Sequence, residues 1–236
     1  MADLAELSSA YDAWHDSLEP DDDGDSPWHQ LVRNHIGPLD GADVLEIGCG
    51  RGGLAGRLVQ RRPRLYLAAD FSRSAVLTAS RRCGSGLSAF STSDAQRLPH
   101  PDRAFDIVVS CETIEHLPSP SAALGEFARV LRPGGRLFLT TPNYLSTMGT
   151  YRAYLRLRGR RFTEEGQPIN NLTLLPRTVS WLRSAGLRPR LVDARGHYFL
   201  LPGRNPIPVR ALDGPKPVVK WFAHHQLIVA NKPRSP

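Results

Sequence analysis

The stretch that decides the fold runs from Glu46 to Gly53 and reads Glu-Ile-Gly-Cys-Gly-Arg-Gly-Gly. It follows an apolar run at 44–47 that is typical of a buried strand, and it precedes a run at 54–59 with helical spacing. Glycines at this point permit a tight turn and a close approach of a ligand to the backbone. The first N–H groups of the following helix have no partner within the helix. The stretch therefore predicts a nucleotide-type ligand at the carboxyl edge of a parallel sheet.

Short apolar runs and helical runs alternate from this stretch onward. Strands are predicted at 44–47, 65–69, 88–91, 105–110 and 136–140, with helices at 54–59, 72–82 and 121–131. After an irregular segment, a helix near 176–184 precedes strands near 187–193 and 226–230. The alternation predicts an α/β fold: a doubly wound, Rossmann-like sheet of seven mostly parallel strands with helices on both faces.

Three segments lie outside this alternation. The first 25 residues contain nine acids and no Lys or Arg, and they predict an acidic N-terminal arm or helical lid (1–25) before the main domain (26–236). An insertion over the carboxyl edge of the sheet is expected at about 143–175, after the fifth strand. A proline-rich extended loop is expected at about 202–217.

The charge distribution, the apolar runs and the cysteines limit the classes of partner and the cellular location that are expected. The 236 residues carry a net charge of +7, but the arginines are dispersed and are not interleaved with stacking aromatics. We therefore expect a solvated basic surface, and binding to nucleic acid is not favoured. There is no run of about 18 apolar residues, the first ten residues carry no base, and the three cysteines cannot all be paired. These features predict a reduced, cytoplasmic protein without a membrane span, and they do not indicate an oligomeric state.

Two classes of ligand fit the glycine stretch. The pattern Gly48-x-Gly50-x-x-Gly53, with Asp70 about 20 residues further on, fits a dinucleotide-binding fingerprint. The same stretch also places Glu46 two residues before Gly48. A carboxylate there suits a cofactor that carries an ammonium and a sulfonium group. It suits a pyrophosphate badly, because like charges would face each other.

The motifs, taken in order, resemble the class I S-adenosylmethionine-dependent methyltransferases. The resemblance covers roughly residues 40–142: the glycine loop, the acids at 70 and 94, the fourth strand at 105–109 and the turn at 131–137. It implies S-adenosylmethionine as cofactor and S-adenosylhomocysteine as product, with Asp70 on the ribose hydroxyls and Asp94 on the adenine amino group. The cofactor-binding residues predicted in this way are Glu46, Gly48, Cys49, Gly50, Gly52, Asp70, Phe71, Ser72, Asp94, Ala95 and Cys111.

The segment 111–117, Cys-Glu-Thr-Ile-Glu-His-Leu, carries the candidate catalytic residues His116, Glu112 and Glu115. In a helical turn, Glu112 and His116 would share one face. The segment resembles the Glu-x-x-Glu-His element of the ubiquinone-type O-methyltransferases and of the small-RNA 2′-O-methyltransferases, where these residues belong to a divalent metal site. His116 is therefore a candidate base, a candidate metal ligand or a packing residue. Residues 140–148 lack the histidine of the RNA enzymes, so a metal is not favoured and no metal ligand is assigned.

Aromatic and histidine side chains in the arm and the insertion are the candidate substrate contacts. Aromatic residues over a cofactor cleft favour an apolar or aromatic acceptor. The residues predicted to contact the substrate are Tyr11, Trp14, Trp28, His29, Tyr144, Met148 and His197.

The function expected from these residues is S-adenosylmethionine-dependent methylation of a small molecule, at oxygen, in aromatic or specialised metabolism. A hydroxyl acceptor must lose a proton during the transfer, so a base is expected beside the methyl group. The alternatives are C- or N-methylation of a small molecule, RNA 2′-O-methylation, and a nicotinamide-dependent oxidoreductase.

Overall fold

The computed structural model describes residues 4–18, 26–84, 86, 88–160, 162, 166–201, 205–213 and 218–234. The acidic run at 21–25, Arg161 and parts of the proline-rich loop (202–204 and 214–217) lie outside these residues. Seven strands form the main sheet: β1 (Asp43–Ile47), β2 (Leu65–Asp70), β3 (Ser88–Thr92), β4 (Phe105–Cys111), β5 (Leu131–Pro142), β6 (Arg188–Arg195) and β9 (His225–Asn231). Between β6 and β9 in sequence, β7 (Tyr198–Phe199) and β8 (Ile207–Pro208) pair with each other.

The strand order in the main sheet is β3-β2-β1-β4-β5-β9-β6. Strands β1 to β5 pair in parallel, and β9 runs antiparallel between β5 and β6. The predicted seven-stranded, mostly parallel sheet is confirmed. Because β9 is reversed, its first residue, His225, pairs with Pro142 at the end of β5. The start of β9 therefore lies at the edge of the sheet where the parallel strands end.

Seven α-helices are described: α1 (Leu4–Ser17), α2 (Pro27–His35), α3 (Ala55–Leu58), α4 (Arg73–Cys83), α5 (Pro120–Val130), α6 (Thr147–Leu157) and α7 (Leu175–Ser184). Helices α2, α5 and α7 have proline in their first turn, where the missing N–H costs no hydrogen bond. The Ser72 hydroxyl caps α4 by accepting from the Ala75 N–H. None of the described helices has both the length and the apolar character needed to span a membrane.

Apolar side chains cover both faces of the sheet. On one face, Leu45 and Val108 pack with Phe127 of α5 and with α7. On the other face, Val44 and Val109 pack with residues of α2 and α3. Strands buried on both faces read as continuous apolar runs, which is why β1 and β4 were recognisable in the sequence.

Three local predictions differ from the structure. Strand β5 begins at Leu131 rather than Arg136, with a register shift opposite the start of β4. The proline-rich loop is not wholly irregular, because β8 and a short 3₁₀ turn at Arg210–Leu212 lie within it. The helical turn expected to align Glu112 with His116 was wrong: Glu112 has a left-handed φ of 44°, and only Ile114–His116 forms a 3₁₀ turn.

Candidate active site

The glycine loop after β1 is closed by tight packing. Gly48 has a φ of +74°, and a Cβ at this position would lie 2.1 Å from Thr113 Oγ1. The Thr113 hydroxyl donates in turn to the Cys111 carbonyl oxygen at 2.9 Å. Position 48 thus requires glycine for two reasons: its φ angle is positive, and the Thr113 side chain leaves no space for a Cβ. The loop and the end of β4 are brought into direct contact.

The acid that ends β2 holds the same loop. Asp70 Oδ2 accepts from the Gly50 N–H at 2.8 Å, and Oδ1 accepts from the Ser72 N–H at 2.9 Å. The carboxylate therefore spans the glycine loop and the start of α4. Each oxygen keeps a second lone pair for a ligand.

A cavity of about 580 Å³ opens at this carboxyl edge. Its described lining includes the predicted cofactor residues Gly48, Cys49, Gly50, Asp70, Phe71, Asp94, Ala95 and Cys111, the predicted catalytic residues Glu112 and His116, and the predicted substrate residues Tyr11, Trp14, Trp28, His29 and Met148. Predicted residues from Tyr11 to Met148 thus meet in one pocket.

Asp94 is fixed by its neighbour Gln96. Asp94 Oδ1 accepts from the Gln96 backbone N–H at 2.8 Å and from its amide nitrogen at 3.1 Å. The amide oxygen of Gln96 accepts from the Ser119 N–H at 2.8 Å. Gln96, which the sequence analysis did not single out, therefore ties the acid after β3 to the start of α5.

Six predicted site residues do not line the cavity. Gly52 packs against Cys83 and Ala79 of α4, and the Ser72 hydroxyl caps the N-terminus of α4. Glu115 is fully buried and accepts from the Thr141 hydroxyl at 3.0 Å. The remaining three are Glu46, Tyr144 and His197.

Tyr144 and His197 each have partners away from the cavity. The Tyr144 ring packs edge-on against Phe162 and His224, with Arg152 over its face. His197 bonds Asp213 through Nδ1 at 3.1 Å and the Val219 carbonyl oxygen through Nε2 at 3.0 Å. These contacts tie the insertion and the C-terminal loop to the sheet.

Glu46 lies deeper than the sequence suggested. Its Oε2 accepts from the Tyr66 hydroxyl at 2.6 Å between β1 and β2. Burial raises the pKa of Glu46 from 4.5 to about 8, and the Tyr66 hydrogen bond offsets only part of this effect. Burial therefore favours the neutral form of this carboxyl group, and its contact with a cofactor stays a prediction.

The two cysteines of the cavity are thiols. Burial raises the pKa of both Cys49 and Cys111, and nearby carboxylates (Asp70 and Glu46) add to the effect. A thiol with a raised pKa is a small apolar group and a weak nucleophile.

His116 is a neutral imidazole. Burial lowers its pKa, and its Nδ1 donates to the Ile169 carbonyl oxygen at 2.7 Å. Its Nε2 lies 3.7 Å from Oε1 of the buried Glu115. The ring is thereby fixed between the 3₁₀ turn and the segment before α7.

A second imidazole pairs with Glu112, and sequence reasoning missed it. His225 Nδ1 lies 3.0 Å from Glu112 Oε2, and both side chains line the cavity. His225 directly precedes the strand predicted near 226–230, and the sequence analysis did not single it out. The signal that would have identified it is topological: in this sheet order the last strand is antiparallel, so its first residues lie at the ligand edge.

Helix α1 lies over the cavity and is held there by hydrogen bonds made by two of its residues, one to the segment after β4 and one to the start of α4. The Tyr11 hydroxyl donates to the His116 carbonyl oxygen at 3.0 Å. Asp12 Oδ1 accepts from the Ser72 hydroxyl at 2.6 Å and from the Ser74 N–H at 3.0 Å. Asp12, which was not predicted, thus adds a carboxylate to the N-terminus of α4, where negative charge is favourable.

The Glu112 side chain does not converge with those of Glu115 and His116. Glu112 pairs with His225, whereas Glu115 pairs with Thr141. Within the described part of the chain, no group of three or more His, Cys, Asp or Glu side chains is arranged to hold a metal ion.

The sequence is similar to known methyltransferases. A family model described as "Methyltransferase domain" matches residues 45–139. The 27-O-demethylrifamycin SV methyltransferase of Amycolatopsis mediterranei is 32% identical over 170 residues, which are 68% of this chain and 60% of that protein. A ubiquinone biosynthesis O-methyltransferase of Coxiella burnetii is 29% identical over 171 residues, 69% of this chain and 70% of that protein.

The match to the curated relatives is partial. The chain spans 60%, 45% and 38% of the length of three of them. Among solved structures, a methyltransferase from Haloferax volcanii, in complex with the Trm112 activator, superposes with a TM-score of 0.68 at 19% identity and 99% coverage of both chains. That likeness concerns the fold.

Proposed function

We propose that this chain acts as a class I S-adenosylmethionine-dependent methyltransferase and transfers a methyl group from S-adenosylmethionine to a hydroxyl of an apolar small molecule. The observation that carries the proposal is the composition of the cavity at the carboxyl edge of the sheet. One part contains the glycine loop with Asp70 and Asp94. The other part is lined by the apolar and aromatic residues Leu7, Tyr11, Trp14, Trp28, Met148, Phe162 and Tyr198.

The residues present fit the family's cofactor. Gly48, Cys49 and Gly50 line the cavity, so the loop backbone is accessible to a ligand, and Asp70 keeps acceptor capacity for ribose hydroxyls. Asp94 is held at the next strand end, where the family's adenine contact is expected. When bound, S-adenosylmethionine supplies an electrophilic methyl group on a sulfonium. The acids Asp70, Asp94 and Glu112 give the cavity a negative character that suits this cation.

The chain's own contribution to the transfer is alignment, exclusion of water and removal of a proton. Helix α1 covers the cavity through Tyr11 and Asp12, which shields the reacting groups from solvent. Holding the two reactants in line supplies a large part of the rate enhancement. Two imidazoles, His116 and His225, line the cavity next to Glu112, so a nitrogen base is available for a hydroxyl proton.

The acceptor is proposed to be an aromatic or specialised metabolite. The apolar lining supports this choice, because few charged groups there match a charged acceptor. The relatives are consistent with it: one is named for a rifamycin and another is named a ubiquinone biosynthesis O-methyltransferase.

The test is a labelled transfer. The protein is incubated with S-adenosylmethionine carrying a ¹³C-methyl group and with separate pools of phenols, aliphatic alcohols, amines and RNA. We expect S-adenosylhomocysteine and a methoxy carbon signal in the phenol pool, and no transfer by Asp70→Ala. Methyl groups found on nitrogen, on carbon or on RNA would contradict the proposed acceptor. S-adenosylhomocysteine formed in no pool would contradict the proposed activity.

A further inference from the structure

We propose that Glu112 and His225 form the acid–base pair that takes the hydroxyl proton from the acceptor, an inference that rests on the methyl-transfer function proposed above. The pair joins two distant parts of the chain, 113 positions apart. Glu112 follows β4, beside the glycine loop, and His225 opens β9. The sheet order brings the two to the same edge, and both line the cavity.

The hydrogen bond between them fixes the imidazole tautomer. A carboxylate only accepts, so in the 3.0 Å contact His225 Nδ1 carries the proton and Glu112 Oε2 receives it. In the neutral ring the basic lone pair is then on Nε2. A carboxylate at Nδ1 also stabilises the imidazolium that forms when Nε2 takes a proton. This is the arrangement that a base oriented by an acid requires.

The backbone of Glu112 is held in an uncommon conformation that aims the carboxylate. A left-handed φ of 44° is unfavourable at a residue with a Cβ. The Glu112 N–H donates to both the carbonyl oxygen of Thr140, at 3.1 Å, and its hydroxyl, at 3.2 Å. Strain that persists because neighbours hold it is typical of functional positions.

Glu112 also has an unused acceptor. Its second carboxylate oxygen, Oε1, is buried and receives no hydrogen bond from the residues that the structure describes. Such an atom is costly unless a ligand supplies a donor.

The His225 ring is positioned by packing on two sides. The Trp28 ring of α2 lies with its centroid 5.1 Å from the imidazole. On another side Gly196 approaches so closely that a Cβ there would lie 3.0 Å from His225 Cδ2. The side chain is only 12% exposed, so its orientation is set by the fold.

His116 is differently placed. Its Nδ1 donates to a neutral carbonyl, and its Nε2 is directed towards Glu115, which has no exposed surface. Its own carbonyl oxygen receives the Tyr11 hydroxyl of α1. These contacts make His116 a positioning residue that connects the lid to the segment before α7.

The transfer balances with these groups. The acceptor oxygen forms a bond to the methyl carbon as the carbon–sulfur bond breaks, and that electron pair stays on sulfur. The acceptor O–H bond breaks and its proton goes to His225 Nε2. The products are the methyl ether, S-adenosylhomocysteine and an imidazolium paired with Glu112, which later releases the proton to water.

The first test measures the tautomer without turnover. Protein labelled with ¹⁵N-histidine is saturated with S-adenosylhomocysteine, and two-bond ¹H–¹⁵N spectra are recorded, with His225→Gln used to assign the signal. We expect the Nδ1–H tautomer for His225 in the wild type, and a shift towards the Nε2–H form in Glu112→Gln. An Nε2–H tautomer in the wild type, or no change in Glu112→Gln, would overturn the proposal.

The second test measures methylation of 2-naphthol and of the more acidic 4-nitrophenol. We expect His225→Gln to lower kcat on 2-naphthol by at least about 100-fold, and on the largely ionised 4-nitrophenol far less, because that acceptor has already lost its proton. His116→Gln should affect the two phenols equally, and His100→Gln, outside the cavity, should affect neither. Equal losses on both phenols in His225→Gln would overturn the assignment.

Binding of S-adenosylhomocysteine separates the two proposals. The His225→Gln variant should keep the wild-type affinity for S-adenosylhomocysteine and the wild-type melting temperature, which shows that it is folded. If the wild type does not bind S-adenosylhomocysteine, the proposed function fails. If it binds but methylates neither phenol, the phenolic acceptor is wrong and the tautomer measurement alone decides on Glu112 and His225.

Discussion

At the scale of single residues, the shape of the glycine loop depends on a few close contacts that other side chains could not make. Because Gly48 has no Cβ, the Thr113 side chain can pack against the loop. The Asp70 carboxylate, at the end of β2, accepts a hydrogen bond from the Gly50 N–H. The buried Glu46 carboxyl group, in the strand before the loop, accepts a hydrogen bond from the Tyr66 hydroxyl. Each contact joins the glycine loop to a neighbouring strand. The loop is therefore shaped by the protein and not by its own sequence alone.

Replacement of Gly48 by Ala should destabilise the fold by about 2–4 kcal/mol. The positive φ is unfavourable for alanine, and the new Cβ would overlap the Thr113 side chain. Urea unfolding measures the difference. Gly125→Ala is the matched control, because Gly125 lies within α5 and a Cβ there meets nothing within 4 Å. That control should be neutral or stabilising by up to about 1 kcal/mol. Equal effects of the two substitutions would contradict this description of the loop.

Glu46→Gln should change how stability depends on pH. The folded-state pKa of Glu46, about 8, lies above the usual 4.5, so between these values the unfolded chain releases a proton that the folded chain retains. Wild-type stability therefore falls as pH rises through this window, by at most about 1.4 kcal/mol per pH unit. The variant, which has no group to ionise, should gain on the order of 3 kcal/mol relative to wild type between pH 4.5 and 8.

Urea unfolding at a series of pH values from 4.5 to 8 measures this difference. Asp102→Asn, at an exposed carboxyl, is the control, and its curve should run parallel to that of the wild type. A Glu46→Gln curve parallel to the wild-type curve would show that Glu46 is not protonated in the folded protein.

At the scale of elements, the sequence predicted the strands well and the connections less well. Strands β1, β2 and β4 carry apolar runs buried on both faces, and their ends were located within a residue or two. The segment after β4 was misread because Glu112 adopts a left-handed φ that its side-chain type does not reveal. The pairing of Glu112 with His225 was not predictable from local pattern, since it follows from the reversal of β9.

The N-terminal helix gives the clearest prediction at this scale. Asp12→Ala removes the acceptor for the Ser72 hydroxyl and the Ser74 N–H, so α1 should open more often. We expect hydrogen exchange in residues 4–17 to rise by about 10-fold, in line with the loss of a hydrogen bond to a charged group. Glu6→Ala, at an exposed position of the same helix, should leave exchange unchanged. Unchanged exchange in Asp12→Ala would show that this contact does not hold the lid.

At the scale of the whole molecule, one edge of the sheet collects the chemistry. The parallel strands end there, the reversed β9 begins there, and α1 covers the cavity from above. The two apolar clusters on the sheet faces supply the rigid support. The cavity at this edge contains the acids Asp70, Asp94 and Glu112, whereas the chain as a whole has a net charge of +7. The charge of the cavity is therefore opposite in sign to that of the whole molecule. This contrast favours a cationic ligand at the edge.

The central claim is that Asp70 and the glycine loop bind the cofactor. Isothermal titration calorimetry with S-adenosylhomocysteine tests it most directly, comparing the wild type with Asp70→Ala and with Asp102→Ala as control. We expect a one-to-one complex for the wild type and the control, and a loss of about 100-fold or more in affinity for Asp70→Ala, since hydrogen bonds to a charged group are removed. Equal affinity in Asp70→Ala, or binding of NAD in place of S-adenosylhomocysteine, would contradict it.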